Sequence, residues 1–360
     1  MCATQFKYLF TSLLLLHFMM ATVGAFSLER GLVQTNLGTV HYVACGGADA
    51  ALSSPSMLSG DGSGDLTPIL AFHMSPRSSD EFREVMPLLS SSNGGGYEDS
   101  NKGGGVGIGG DGRRRLVVAI DELGYGRSDV PSRSCTIDEM ADGAIAVADS
   151  LGIEKFIVVG SLVGNFFAVS LASRYPDRVS GAVLTNPYHW KMDAAAAAEG
   201  EAKEQEDGDV SGEGEDREKR GIHDPWEMKE DGAHIMDLWK KRSGWLDSHL
   251  NTRAVYDELT FLLNRKERFE RGISIQDASS FNFERAAERT ECPALLIKGA
   301  GATAFFDSIG YNMTGQFTRA VSCFPDAEVS DIEPGSICLI NQDAALWARC
   351  VREFLDAKSL

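Results

Sequence analysis

Short, continuously apolar strands alternate with helical segments along this chain, and this rhythm constrains its fold more than any other feature. Residues 116–120 (LVVAI) and 156–159 (FIVV) contain no polar side chain, which is typical of strands buried on both faces of a parallel sheet. Thr136 and Glu139 have capping-box spacing and predict a helix start between these strands. The alternation predicts an α/β fold, with a mostly parallel central sheet and helices on both faces.

The other predicted elements continue the same order. Residues 32–43 form a candidate hairpin, and Ser78 with Glu81 forms a second candidate capping box, which predicts a helix from Ser79. Further strands are predicted at residues 67–72, 179–184, 294–297 and 327–332, and further helices at residues 165–175 and 343–355.

Low-complexity inserts interrupt the elements at residues 46–66, 91–115 and 194–222. They contain too few apolar residues to offset the entropy of ordering a chain, so they are predicted to be disordered. Residues 191–290 break the β–α rhythm and are predicted to be a helical lid that contains the third insert. The lid would divide one large domain into a first core part, residues 26–190, and a second, residues 291–360.

Charge and cysteine usage exclude some classes of function. The chain has 34 Lys+Arg against 52 Asp+Glu, a net charge of -18, and much of the acidity lies in the third insert. Because phosphate backbones are bound by clustered basic residues, we expect no nucleic-acid partner. The seven cysteines show no CxxC spacing, so no metal site and no cofactor are predicted, and the disulfide pairing stays open.

The N-terminal segment is predicted to be a targeting sequence. In residues 1–25, Lys7 precedes an apolar run that ends in Val-Gly-Ala, the pattern of a signal peptide, with a signal anchor as the alternative. We therefore expect the secretory pathway or secretion. The Ala-Phe junction also resembles bipartite plastid presequences, so plastid import stays open. Asn312 begins an Asn-Met-Thr glycosylation triplet, and no later segment is long and apolar enough to span a membrane.

Three motifs carry a family resemblance. Residues 72–76 (FHMSP) follow one strand, residues 121–128 (DELGYGRS) follow the next, and residues 160–164 (GSLVG) join a strand to a helix. Together they resemble the α/β-hydrolase fold superfamily, in particular its AB hydrolase-1-like members. The resemblance implies an oxyanion loop at the first motif and the nucleophile elbow, G-x-nucleophile-x-G, at the third.

The catalytic triad that this family implies is absent from the sequence. The nucleophile position holds Leu162, the acid position Ala302 and the histidine position Ser336. Ser161 stands one residue too early in the elbow, and no histidine follows His249. We therefore expect a divergent subgroup with a degenerate triad, since loss of the nucleophile or base costs on the order of 10⁶-fold in rate.

Several other residues are candidates for the site. The oxyanion loop and pocket are expected to contain His73, Met74, Ser75, Leu162 and Val163, with the backbone N–H groups of Ser75 and Val163 as oxyanion donors. His73 is expected to be structural rather than functional. His189 and His234 are the lid candidates for a general base, although a packing or surface role is the simpler expectation for both.

Three hypotheses of function follow. The first is a non-catalytic protein of this fold that binds a small apolar or carbonyl ligand. The alternative is an active hydrolase or lyase that uses a non-triad mechanism at the retained oxyanion loop. A further alternative is a protein-interaction scaffold that contacts its partner through the acidic insert. A histidine close to Leu162 would favour the active enzyme.

Overall fold

The computed structural model describes residues 28–46, 66–75, 77–90, 114–187, 230–246, 281–308 and 312–360. The predicted presequence and the insert at residues 194–222 lie outside the described residues, as does His189. Only the end residues of the other two inserts are described.

Eight strands form a single sheet in the order β1-β2-β4-β3-β5-β6-β7-β8. Their bounds are β1 Leu28–Thr35, β2 Gly38–Cys45, β3 Leu66–Phe72, β4 Arg115–Ile120, β5 Phe156–Ser161, β6 Val179–Thr185, β7 Ala294–Gly299 and β8 Ala327–Ile332. The β1–β2 and β2–β4 pairs are antiparallel, and the other neighbouring pairs are parallel. The mostly parallel sheet is confirmed, and the carboxyl ends of its parallel strands meet at one edge.

The helices connect the strands in the predicted order. Their bounds are α1 Met86–Ser90, α2 Ile137–Ser150, α3 Gly164–Arg174, α4 Ala233–Leu246, α5 Phe283–Glu288, α6 Ala300–Ser308, α7 Met313–Cys323, α8 Leu339–Gln342 and α9 Ala344–Ala357. Thr136 and Glu139 form the predicted reciprocal capping box at the start of α2. In the part of the chain that the structure describes, no helix is both long and apolar enough to cross a membrane.

The second capping box, at Ser78 and Glu81, was wrongly predicted. Residues Ser79–Phe82 form a 3₁₀ turn, and the Ser78 hydroxyl accepts a hydrogen bond from the Asp80 N–H. Glu81 is buried and bonds to Met74 and Ser161 instead. A tertiary contact has therefore taken the side chain that the local pattern assigned to the cap.

Side chains of the central strands alternate between two apolar cores. On β5, Val158 belongs to the core packed with α2, α3, α5 and α7, whereas Ile157 and Val159 face the core packed with α1 and α9. Successive side chains of a strand point to opposite faces. Helices on both faces therefore explain why this strand contains no polar residue before Gly160.

Candidate active-site region

The turn between β5 and α3 presents Leu162 in a conformation that L-residues rarely adopt. Leu162 has a φ of 47°, in the left-handed region that costs a non-glycine residue about 1–2 kcal/mol. A Cβ on Gly160 would lie 2.7 Å from the Asn165 Cα, and a Cβ on Gly164 would overlap the Phe72 carbonyl. The two glycines allow the sharp strand-to-helix turn, which has the form of a nucleophile elbow.

Leu162 packs into an apolar cluster at the carboxyl edge of the sheet. Its side chain is only 4% exposed. We call this group the elbow cluster; it contains Met74, Leu162, Ala302, Met313, Ile337 and Cys338, with the partly buried Trp239, Phe305 and Phe306. Two of the residues predicted to stand at triad positions, Leu162 and Ala302, therefore lie in one hydrophobic cluster.

Ser161 points away from this cluster and is held by a carboxylate. Its Oγ donates to Glu81 Oε1 at 2.9 Å, and the other carboxyl oxygen of Glu81 accepts the Met74 N–H at 2.7 Å. Ser161 is 1% exposed. The Glu81 carboxylate thus connects the elbow to the oxyanion loop, and the Ser161 hydroxyl is the donor on the elbow side.

The start of α6 and the loop after β8 are joined through their backbones. The Ala302 N–H donates to the Gly335 carbonyl at 2.9 Å, and the Gly301 N–H donates to the Pro334 carbonyl at 2.8 Å. The Ser336 hydroxyl accepts the Cys338 N–H at 3.1 Å. In this arrangement Ser336 is a local turn-capping residue.

The two predicted oxyanion donors have no partner in the described part of the chain. Neither the Ser75 N–H nor the Val163 N–H donates to another described residue. The Met74 N–H is occupied by Glu81. Because Gly164 abuts the carbonyls of Phe72 and His73, the elbow and this loop lie against each other.

Beneath the loop, two buried histidine–carboxylate pairs meet at adjacent acidic residues. His73 Nε2 faces the Glu122 carboxyl, and His41 Nδ1 lies 2.8 Å from Asp121 Oδ2. All four side chains are nearly inaccessible to solvent. Burial alone disfavours the imidazolium, but the charge of Glu122 outweighs it and raises the pKa of His73 to about 8.

Asp121, although buried, accepts hydrogen bonds from three neighbouring groups. Burial acts to raise its pKa, but the bonds from His41 and from the N–H groups of Ser79 and Arg127 outweigh that effect and hold the pKa below its usual value. Burial raises the pKa of Glu122. Adjacent carboxyls thus have opposite shifts because their donors differ.

Sequence reasoning missed Glu81, Glu122 and His41. Glu122 offered the clearest clue, because it follows β4 while His73 follows β3, and neighbouring parallel strands end at one edge of a sheet. A buried carboxylate requires a partner, so the two residues could have been paired. Nothing in the local sequence indicated the contact between Glu81 and Ser161.

Of the remaining candidates, His234 and Asn312 are described, and His189 lies outside the described residues. His234 is buried on α4, the helix that brings Trp239 to the elbow cluster. Asn312 is exposed at the start of α7, where its Oδ1 accepts the Gly315 N–H at 3.2 Å. The described residues contain no group of histidines, cysteines and acids able to hold a metal ion, and their six cysteines are free thiols.

The sequence profile of the α/β-hydrolase fold matches residues 67–335. The chain belongs to this family. Its structure is similar to the carboxylesterase CesB of Bacillus subtilis, with a TM-score of 0.61 and 16% identity over 92% of each chain. Identity this low shows a common fold.

Curated relatives match over shorter segments. A (lyso)-N-acylphosphatidylethanolamine lipase of Bos taurus is 32% identical over 83 residues, 22% of this chain and 24% of that protein. A 2-hydroxymuconate semialdehyde hydrolase of Pseudomonas sp. (strain CF600) is 40% identical over 73 residues, 20% of this chain and 26% of that protein. The matched segments span about a quarter of the length of these relatives.

Proposed function

We propose that this α/β-hydrolase-fold protein has lost the catalytic triad and binds a small apolar or carbonyl ligand without hydrolysing it. The observation that carries the proposal is Leu162: the elbow retains its strained geometry, yet it presents an aliphatic side chain to a hydrophobic cluster. An aliphatic side chain cannot act as a nucleophile.

The surroundings of Leu162 support this proposal. Ala302 contributes a methyl group to the elbow cluster. The Ser161 hydroxyl is engaged by Glu81, and Ser336 caps a turn. A ligand in such a site would be held by apolar contact, with a carbonyl oxygen accepting hydrogen bonds from the Ser75 and Val163 N–H groups.

Hydrolysis of p-nitrophenyl esters tests the proposal. We expect the full chain to release p-nitrophenol no faster than the buffer blank from the acetate, butyrate and octanoate esters. Leu162→Ser should remain inactive, because a serine there would still lack a base. Turnover by the wild-type chain that falls at least tenfold in Ser161→Ala, while the surface variant Asp149→Asn keeps it, would overturn the proposal.

Binding is measured separately with an apolar fluorescent anion, 8-anilinonaphthalene-1-sulfonate. We expect saturable binding that octanoate displaces. Leu162→Trp should weaken binding at least tenfold, because the larger side chain would occupy the space beside Met74 and Ala302. If Leu162→Trp bound the probe with unchanged affinity, the probe would not bind beside Leu162, and the proposed site would be contradicted.

An active enzyme with a non-triad mechanism is the second candidate, and the unpartnered N–H groups of Ser75 and Val163 favour it. Backbone donors stabilise an oxyanion whatever side chains surround them. A base from the lid, His189 or His234, would have to reach a substrate bound there. Turnover abolished by His234→Gln or His189→Gln, and retained in Ser161→Ala, would support this candidate.

We also propose that residues 1–25 are a signal peptide, that the chain enters the secretory pathway, and that residues 191–290 form a lid. The apolar run and the Val-Gly-Ala ending of the N-terminal segment support the targeting proposal. The helix α4 lies between β6 and β7, as a lid inserted into this fold would. Plastid import and a scaffold role of the acidic insert remain the alternatives for localisation and partner.

A further inference from the structure

We propose that the His73–Glu122 pair is a proton-dependent latch that fixes the oxyanion loop beside Leu162, so that loss of the shared proton releases the loop. Both residues follow neighbouring parallel strands, His73 after β3 and Glu122 after β4. Both side chains are at most 2% exposed. The effect on ligand binding rests on the proposed function, whereas the latch itself rests only on the contacts described next.

The contacts of His73 assign one proton to Nδ1 and place Nε2 against a carboxyl. Its Nδ1 is 3.0 Å from the Met74 carbonyl, which can only accept, so Nδ1 carries a proton. Its Nε2 faces the Glu122 carboxyl and accepts the Glu122 backbone N–H at 3.4 Å, as the lone pair of a neutral Nε2 can. Because two unprotonated groups facing each other in a buried site would be unfavourable, we infer that one further proton is shared between Nε2 and the carboxyl, either as imidazolium with carboxylate or as imidazole with carboxylic acid.

Removal of this proton leaves the lone pair of His73 Nε2 facing a lone pair of the Glu122 carboxylate. The imidazole Nε2 would then face an anionic carboxylate in a site without solvent, and such an arrangement is strongly unfavourable. Within the described residues, no second side chain donates to either carboxyl oxygen of Glu122. The two side chains must therefore separate when the proton leaves.

Other charged groups near His73 act in the same direction. Asp121 adds a second negative charge that favours a proton on His73. Asp121 is itself paired with His41 on β2 and accepts the N–H groups of Ser79 and Arg127. The Tyr125 ring packs edge-on against His73, with 5.4 Å between ring centroids.

Separation of the pair acts directly on the oxyanion loop. Met74 is held at its carbonyl by His73 and by the Arg77 N–H at 2.7 Å, and at its N–H by Glu81. Its side chain belongs to the elbow cluster with Leu162. Movement of His73 therefore removes one of the bonds that set the position of Met74 and Ser75 relative to the elbow.

The sign of the pH dependence follows from the raised pKa of His73. The stabilisation is fully present below the ordinary histidine pKa of 6.5 and is lost as the pH rises through about 8. The unfolding equilibrium constant should therefore be larger on the alkaline side than on the acid side.

Two measurements on the full chain test the latch. The first is a titration of ¹³C-labelled histidine by NMR, with His73→Gln used to assign the signal; we expect a midpoint near 8 for His73. The second is urea unfolding at pH 6.5 and 9.5. Glu122→Gln should remove the alkaline loss, because a glutamine amide donates to neutral Nε2 without the shared proton.

Asp149→Asn is the matched control, since it breaks a surface pair with Arg178 and should keep the wild-type pH dependence. A His73 midpoint at or below 6.5, or equal alkaline losses in wild type and Glu122→Gln, would overturn the latch. If Glu122→Gln does not fold, the NMR midpoint decides alone.

Binding of 8-anilinonaphthalene-1-sulfonate distinguishes the two proposals. We expect its affinity to change at least threefold between pH 7 and 9 in wild type and to stay constant in Glu122→Gln. No probe binding at any pH, together with a midpoint near 8, would contradict the ligand site and support the latch. Binding that is equally pH-dependent in both proteins would contradict control of the site by the latch.

Discussion

The backbone N–H of Ala302 donates to the carbonyl of Gly335 at 2.9 Å. Ala302 lies in the first turn of α6, directly after β7, at the position where the family resemblance places the acid, and Gly335 lies in the loop after β8, next to Ser336, where it places the histidine. This backbone bond joins the start of α6 to the loop after β8. This bond stabilises the geometry of the region without any titratable group.

Leu162 provides a test of backbone strain. We expect Leu162→Ala and Leu162→Gly each to destabilise the protein by about 1–4 kcal/mol, because both empty a buried position. Leu162→Gly should nevertheless be more stable than Leu162→Ala by about 0.5–1 kcal/mol, since only glycine tolerates a φ of 47° without strain. Urea unfolding of the three proteins measures this order, and a more stable alanine variant would contradict the strained turn.

Gly164 should tolerate no side chain. Its Cβ would overlap the Phe72 carbonyl, which belongs to a central strand. We expect Gly164→Ala to cost more than about 2 kcal/mol or to prevent folding. Gly143→Ala is the control, because its Cβ would lie 3.3 Å from a Val40 methyl group that can shift. Thermal unfolding should separate the two variants, and equal melting temperatures would be inconsistent with the packing of the elbow.

Ser161 and Glu81 should be energetically coupled. Glu81→Ala leaves the Ser161 hydroxyl and the Met74 N–H without their buried acceptor, so we expect a loss of about 2–4 kcal/mol. Once Glu81 is absent, Ser161→Ala should cost at least about 1 kcal/mol less than it does in wild type. A double-mutant cycle by urea unfolding measures the coupling. Additive losses would show that the hydrogen bond contributes no stability.

Acid should destabilise the protein through Asp121. Its pKa is lowered in the folded protein, so its stabilisation is present above the ordinary pKa of 3.8 and is lost as the pH falls through the lower folded value. We expect Asp121→Asn to be less stable than wild type at pH 6 and to lose less stability between pH 5 and 3. The surface variant Asp149→Asn should follow the wild-type curve. If the stability of Asp121→Asn fell with pH in parallel with that of wild type, Asp121 would not be the cause of the acid destabilisation.

Processing provides a test of the targeting proposal. Expression of the full chain in a eukaryotic secretory host should yield a protein that starts at Phe26 by N-terminal sequencing. Its mobility on a gel should increase after deglycosylation, and Asn312→Gln should abolish that change. Asn312 is exposed, as a glycan acceptor must be. Retention of residues 1–25 would favour the signal anchor.

The sequence alone determined the fold. Buried parallel strands contain continuous apolar runs and the helices between them have caps, so the β–α order could be predicted from local patterns at residues such as 116–120 and Thr136. The glycines of the elbow were recognisable from their spacing, because close backbone approach at Gly160 and Gly164 leaves no room for a Cβ. These are short-range constraints.

Tertiary structure alone decided which polar groups meet. Ser78 and Glu81 had the spacing of a capping box, but Glu81 turned inward because Ser161 and Met74 offered buried partners. Glu122 and His73 lie 49 positions apart in the sequence and meet because β3 and β4 end at one edge of the sheet. The energy of such a contact depends on the burial of both partners, and burial is a property of the assembled fold.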